Sequence, residues 1–228
     1  MKRVAEQFGL DAAAGEQLER LLTALDAEAD PPTTVRSPAE AANVHVADSL
    51  AVLTVPQIHQ ADSIADLGSG AGFPGLVLAI ALPRGRVDLI ESNRRKCEVI
   101  ERLAAAAGIG NAHALPVRAE EWASGEGREA YAVATARALA SLAVLVEYAA
   151  PLLRAGGALV AWKGARDPAE EAAGEAAARE AGLERGDVVP VTPYEGSRSR
   201  HLHLYLKVRS TPERFPRRPG VAARRPLG

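Results

Sequence analysis

Leu18, Leu21, Leu22 and Leu25 recur at helical spacing with charges between them, and predict an amphipathic helix over about residues 11–28. Asp30-Pro31-Pro32 ends it, because proline also pushes its predecessor out of helical geometry. Ser37-Pro38-Ala39-Glu40 then fits a capping box with proline at the first helical position, and starts a second helix that runs to about Leu53. After residue 60 the pattern changes. Short β-rich runs alternate with helical segments: SIADL then PGLVLAIAL, RVDLIE then NRRKCEVIERLAAAAG, NAHALPV then EEWA, YAVATA then LASLAVLVEYAAPLL. GALVAWKG precedes an alanine- and glutamate-rich helix from about Asp167 to Ala181, and DVVPV and HLHLYLKV add two more strands. Such alternation means βαβ units, hence an α/β fold with a mostly parallel seven-stranded sheet and helices on both faces. HLHLYLKV alternates around Leu202, Leu204, Leu206 and Val208, and reads as an antiparallel edge strand that ends the sheet. The chain thus divides into an N-terminal helical region (1–60), an α/β core (61–208) and an extended tail (209–228) rich in proline, arginine and glycine.

Composition narrows the setting. At 228 residues, 47% hydrophobic and 25% charged, the chain has the makeup of an ordinary globular protein with one full-sized domain and modest extras. No stretch approaches the roughly 20 apolar residues of a membrane helix. The N-terminus MKRVAEQFGLD has no apolar core or cleavage site of a signal peptide. Cys97 is the only cysteine, which excludes an intrachain disulfide and a cysteine-rich zinc site. A cytoplasmic protein without a metal or a membrane partner is expected. Charge is uneven. From Arg209 on there are six arginines and one glutamate, a net of +5; the whole chain carries −2, which leaves −7 on residues 1–208. An acidic body with a basic tail suits contact with a polyanion.

The candidate chemistry sits in ADLGSGAGFPG, Ala65 to Gly75. Ligands of an open parallel sheet bind beyond the carboxyl ends of its strands, and this loop follows the first strand. Gly70 to Gly75 satisfies G-x-G-x-x-G, and Glu91 ends the second strand about 20 residues on, so a dinucleotide fingerprint is met. Two details argue against it. The loop already begins at Gly68, and Asp66 stands at the strand end, where a carboxylate would repel phosphates. A Walker loop is excluded because no Gly-Lys-Ser/Thr follows. S-adenosyl-L-methionine (AdoMet) fits better, being cationic and free of phosphate. Gly68, Gly70 and Gly72 would admit its close approach, and Glu91 would accept from its ribose hydroxyls. An NAD-dependent oxidoreductase remains the alternative enzyme class.

Several stretches taken in order resemble one family. DLGSGAGFPGLVLAI, LIESNRRKCEVI, RAEEW, ATARALASL, AWKG and EGSRSRHLHLYLKV, from about His45 to the C-terminus, are similar to the RsmG (GidB) family. That family comprises bacterial 16S ribosomal RNA methyltransferases acting on guanine N7. The tail TPERFPRRPGVAARRPLG resembles that of one branch. One departure is visible: ALDAEADPPTTVRSP lacks the tryptophan and asparagines usual at that point, while HVADSL keeps His45, Asp48 and Ser49. The resemblance implies a class I AdoMet-dependent methyltransferase (Rossmann-like) fold and AdoMet contacts at Gly68, Phe73, Ala119, Glu120 and Arg137. Guanine N7 has an in-plane lone pair, so no general base is needed. Arg137 and Lys163 are the candidate catalytic residues, as positioners of the guanine. Arg198, Arg200, Arg217 and Arg218 are candidates for RNA contact, and His45 reads as structural. The implied partner is 16S ribosomal RNA or the small ribosomal subunit, met by a monomer. A non-catalytic RNA-binding or assembly protein on the same fold is the reading from another class.

Overall fold

The computed structural model describes residues 1–35 and 37–228. The N-terminal helices are α1 (Lys2–Gln7), α2 (Ala12–Ala27), α3 (Pro38–Ala41), α4 (Asp48–Leu50) and α5 (Pro56–His59). Asp11 caps α2 by accepting from the Ala14 amide at 2.8 Å, and Ser37 caps α3 by accepting from that of Glu40 at 3.1 Å. The second helix of the sequence reading is not uniform. A π-helical stretch, Ala42–Ala47, joins α3 to α4, and a 3-10 turn, Ala51–Thr54, follows. Wide turns of this kind recur at functional sites, and this one carries Val44 and His45.

The rest of the chain runs β1 (Ser63–Leu67), α6 (Gly75–Ala81), β2 (Arg86–Ile90), α7 (Arg94–Ala107), β3 (Ala112–Leu115), α8 (Ala119–Trp122), β4 (Tyr131–Arg137) and α9 (Leu142–Ala149). It ends with β5 (Leu153–Lys163), α10 (Pro168–Ala181), β6 (Leu183–Val191), β7 (Arg200–Lys207) and α11 (Val221–Arg224). One sheet orders its strands β3-β2-β1-β4-β5-β7-β6. The pairs β1–β2, β1–β4, β2–β3 and β4–β5 are parallel; β7 lies antiparallel to β5 and β6.

That topology corrects the sequence reading in one respect: β7 is antiparallel but internal, and β6 forms the edge. Its second face explains why. His203, Tyr205 and Lys207 are buried along with Leu202 and Leu204, so the strand never had a solvent side. Helix α9 is also shorter than its apolar run, because Leu152 and Leu153 already belong to the turn and strand that follow.

Side chains alternate across each strand, and two cores result. Ile64, Leu76, Val87 and Leu103 pack with Leu18 and Leu21 of α2 on one face; Leu67, Ile90, Leu145, Leu159 and Tyr205 pack on the other. The tail after Val208 lies against the second face. Phe215 and Ala222 are about 1% exposed, and Leu227 joins that core. The parallel strands β1, β2 and β4 all end on one side of the sheet, where their following loops meet.

Candidate cofactor and acceptor site

The loop after β1 is held from both sides. Gly68 takes φ +62°, a conformation that favours glycine, and a side chain there would have to displace the Leu139 side chain. Gly70 takes φ +58°, and a Cβ there would meet only Gly68 O, at 3.9 Å. Its amide donates to Glu91 Oε2 at 3.2 Å, while Glu91 Oε1 accepts from the Asn93 amide at 2.8 Å. The carboxylate at the tip of β2 therefore ties the glycine loop to the start of α7. Two donors leave half of a carboxylate's lone pairs for a ligand.

A cavity of about 440 Å³ opens over this loop. Gly68, Gly70, Phe73, Glu91, Ala119, Glu120 and Arg137 all line it, so seven of the sequence candidates converge. Asp66 and Gly72 are not part of its lining. Asp66 shares the inward face of β1 with Ile64. It is fully buried, its Oδ1 accepts from Thr135 Oγ1 at 2.9 Å and its Oδ2 from the Gly75 amide at 3.1 Å. Burial pushes its carboxyl up to about 6, against the pull of those hydrogen bonds. Asp66 thus fixes the start of α6 beneath the loop instead of facing a ligand, and it is not the group that would turn a pyrophosphate away. Gly72 has a local role too, since a side chain there would meet Leu76 at 2.6 Å.

A second cavity of about 440 Å³ adjoins the first and shares Thr33, His45, Arg137 and Ala138 with it. Its far side holds Asp48, Trp162, Lys163 and Arg200. Arg137, at the end of β4, stands between the two. Its Nη1 donates to Val44 O at 2.8 Å and to Asp48 Oδ2 at 3.0 Å. Asp48 Oδ1 lies 3.5 Å from Arg200 Nε, so one buried carboxylate serves two arginines. Lys163 Nζ sits 2.6 Å from Glu170 Oε1 and donates to Ala140 O at 3.3 Å. His45 stacks on Phe73 with centroids 4.4 Å apart, and its Nε2 shares a 2.9 Å hydrogen bond with Thr33 Oγ1. Burial, and then the charge of Arg137, push its pKa down to about 4, so it is neutral at physiological pH.

The sequence assigns no site role to Asp48 and a structural one to His45, yet the first pairs with both arginines and the second borders both cavities. Only their place within HVADSL hinted at this. The candidate RNA contacts do not gather in one place. Arg200 lines the second cavity; Arg198 and Arg218 are exposed. Arg217 is a correction: Glu147, about 2% exposed, takes its Nε at 2.6 Å and its Nη2 as well. It is committed to holding the tail. Among the described residues no group of three or more His, Cys, Asp or Glu could hold a metal ion, and no helix is long and apolar enough to cross a membrane.

The sheet order, the glycine loop after β1 and the carboxylate at the tip of β2 define the fold of a class I AdoMet-dependent methyltransferase. Aeropyrum pernix fibrillarin, solved with natively bound S-adenosyl-L-methionine, shares that fold: TM-score 0.54 at 21% identity, covering 70% of this chain and 72% of that one. Residues 17–201 match the family described as GidB, rRNA small subunit methyltransferase G, and the chain belongs to that family. The ribosomal RNA small subunit methyltransferase G of Deinococcus radiodurans is 39% identical over 231 residues, spanning 100% of this chain and 91% of its own. That of Chloroflexus aggregans is 42% identical over 198 residues, 86% of this chain and 82% of its own. Family membership sets the oxidoreductase alternative aside. The lining also suits AdoMet as donor: the carboxylates of Glu91 and Glu120 and the glycine-loop backbone face a cavity large enough to hold a ligand.

Proposed function

We propose that this protein methylates N7 of a guanosine in 16S ribosomal RNA, with AdoMet as methyl donor. The observation that carries this is the pair of adjoining cavities that meet at Arg137, one walled by the glycine loop and one by cations. AdoMet supplies a methyl group on a positively charged sulfur, which an in-plane ring lone pair can take without losing a proton. The residues therefore need only bind and orient. Gly68, Gly70 and Phe73 form the floor of the donor cavity, with Glu91 facing ribose and Ala119 and Glu120 facing adenine. Arg137 has committed two of its five donors, to Val44 and Asp48, and the rest are available to a guanine edge or a phosphate. Lys163 and Arg200 offer further donors across the acceptor cavity. Such cations fix the base without activating it, and in-line alignment supplies the rate. Neutral His45 adds no charge beside a cationic donor and a cationic product.

Arg198 and Arg218, both exposed, are further candidates for contact with the RNA backbone, whose contacts dominate affinity and make it salt-dependent. A monomer in the cytoplasm, where its substrate is made, completes the reading. The test is to incubate the protein with labelled AdoMet and either 16S RNA or small subunits, then map the modified nucleotide by mass. A single 7-methylguanosine is expected. No transfer to either substrate would favour a non-catalytic RNA-binding role, and label on another atom would refute the acceptor assignment.

A further inference from the structure

The tail lies outside the residues matched by the family, yet it bonds a residue that lines the donor cavity. Its docking is built, not incidental. Thr211 donates to Ala181 O at 2.9 Å and accepts from the buried Lys207, Phe215 is enclosed, and its carbonyl accepts from Arg128 at 3.1 Å. Arg217 then closes a paired contact on Glu147, a buried residue of α9. The next residue of α9, Tyr148, lines the donor cavity. Three residues past Arg217, the Gly220 amide donates to Glu120 Oε1 at 2.8 Å. Glu120 is itself buried and lines the same cavity. One anchor of the tail thus lands on Glu120, assigned above to adenine, and the other on the residue next to Tyr148 of the same cavity.

We propose that the C-terminal tail is a positioning element for the cofactor: by holding Glu120 Oε1 on the Gly220 amide, it turns Oε2 toward the exocyclic amino group of adenine. This rests on the reading of Glu120 as the adenine contact. A carboxylate with one oxygen fixed has lost the rotational freedom that binding would otherwise cost. Linkage makes the effect mutual, so a bound cofactor also holds the tail down.

The test has two arms on the full-length chain. In the first, hydrogen exchange of the wild-type protein is followed with and without saturating S-adenosylhomocysteine. Tail opening is a local event, so amides 217–225 slow only if docking and binding are linked; a slowing of about tenfold is expected. In the second, the paired variant Arg217→Gln with Glu147→Gln loosens the anchor without stranding a buried charge. The wild type should prefer S-adenosylhomocysteine over S-inosylhomocysteine, which lacks the amino group, and the variant should lose about tenfold of that preference. A merely structural strap would lower both affinities together and leave the ratio alone. Unchanged tail exchange on saturation, or an unchanged ratio in a folded variant, overturns the proposal; should the variant fail to fold, the exchange arm alone decides. If the wild type binds both ligands equally, the adenine reading of Glu120 fails and takes the proposal with it. If the wild type binds neither, the donor cavity itself is misassigned and the proposal falls with it.

Discussion

Replacing Glu91 with alanine tests the donor cavity most directly. The Glu91 carboxylate accepts from the amides of Gly70 and Asn93, and has capacity left for the ribose hydroxyls. The cost therefore divides. Asn93 is exposed and Gly70 faces the cavity, so water can satisfy both amides once the carboxylate is gone. The loss of fold stability should stay near about 1 kcal/mol, the net worth of an ordinary hydrogen bond. The ligand has no such substitute inside a filled cavity. A hydrogen bond to a charged acceptor contributes about 1.5–3 kcal/mol, which is roughly ten- to a hundredfold in affinity. Calorimetric titration with S-adenosylhomocysteine, and with its analogue lacking both ribose hydroxyls, measures that share alone. Glu91→Ala should bind the first ligand ten- to a hundredfold more weakly, and the analogue about as well as the wild type does. A folded Glu91→Ala variant with wild-type affinity would leave Glu91 as a brace for the loop and nothing more. The same holds if both ligands weaken equally, because the effect would then come from a displaced Gly70.

Gly70→Val should fold yet lose AdoMet binding, since valine at φ +58° strains a loop that lines the cavity and adds a side chain to its wall; ordinary affinity in a titration of the folded variant would sink the cofactor placement. Asp48→Asn withdraws the charge that holds Arg137 and neighbours Arg200, so denaturant unfolding should show a loss of about 3 kcal/mol and RNA methylation should fall about a hundredfold. Full stability with full activity in that variant would mean that Arg137 is held by Val44 alone. His45 has a folded-state pKa of about 4, below its ordinary 6.5, so the unfolded chain binds more protons between those values. Its contribution is complete above pH 6.5 and is lost as pH falls toward 4, by about 3 kcal/mol. Asp66, raised to about 6, works the other way, because the folded state keeps a proton that the unfolded one gives up. A pH series of unfolding curves for wild type and His45→Gln separates the two: the variant should be less sensitive to acid over that window, and parallel curves would contradict the buried neutral imidazole.

What the sequence could show follows from the range over which each feature acts. Helix α7 was legible because Asn93, the apolar spacing and Gly108 sit within one local stretch. The glycine loop and Glu91 were legible because turn chemistry and strand ends are local as well. The place of β7 was not, because it depends on pairing with β5 and β6 at once, and alternation along one strand does not say which neighbours will cover its second face. Asp66 misled for a related reason: its position at a strand end was right, and its direction was set by Thr135 and Gly75 across the fold. Asp48 and Arg137 are 89 residues apart, and no spacing rule joins them.

The tail shows the same limit in its charge. Six arginines in the last 20 residues read as a surface for a polyanion, but formal charge counts a residue whether or not it is already matched. Arg217 is matched to Glu147 inside the body, Arg214 pairs with Glu180 at 3.1 Å, and Arg209 donates to Arg179 O. Arg218, Arg224 and Arg225 stay exposed. Each phosphate contact adds about 0.7–0.9 to the logarithmic salt slope, so these three could contribute at most about 2–3, roughly half of what six free arginines would give. The acidic body's larger need for cations at the RNA surface then falls on Arg198 and Arg200. Arg200 lines the second cavity, so on the proposed reading a phosphate contact there would also orient the base to be methylated.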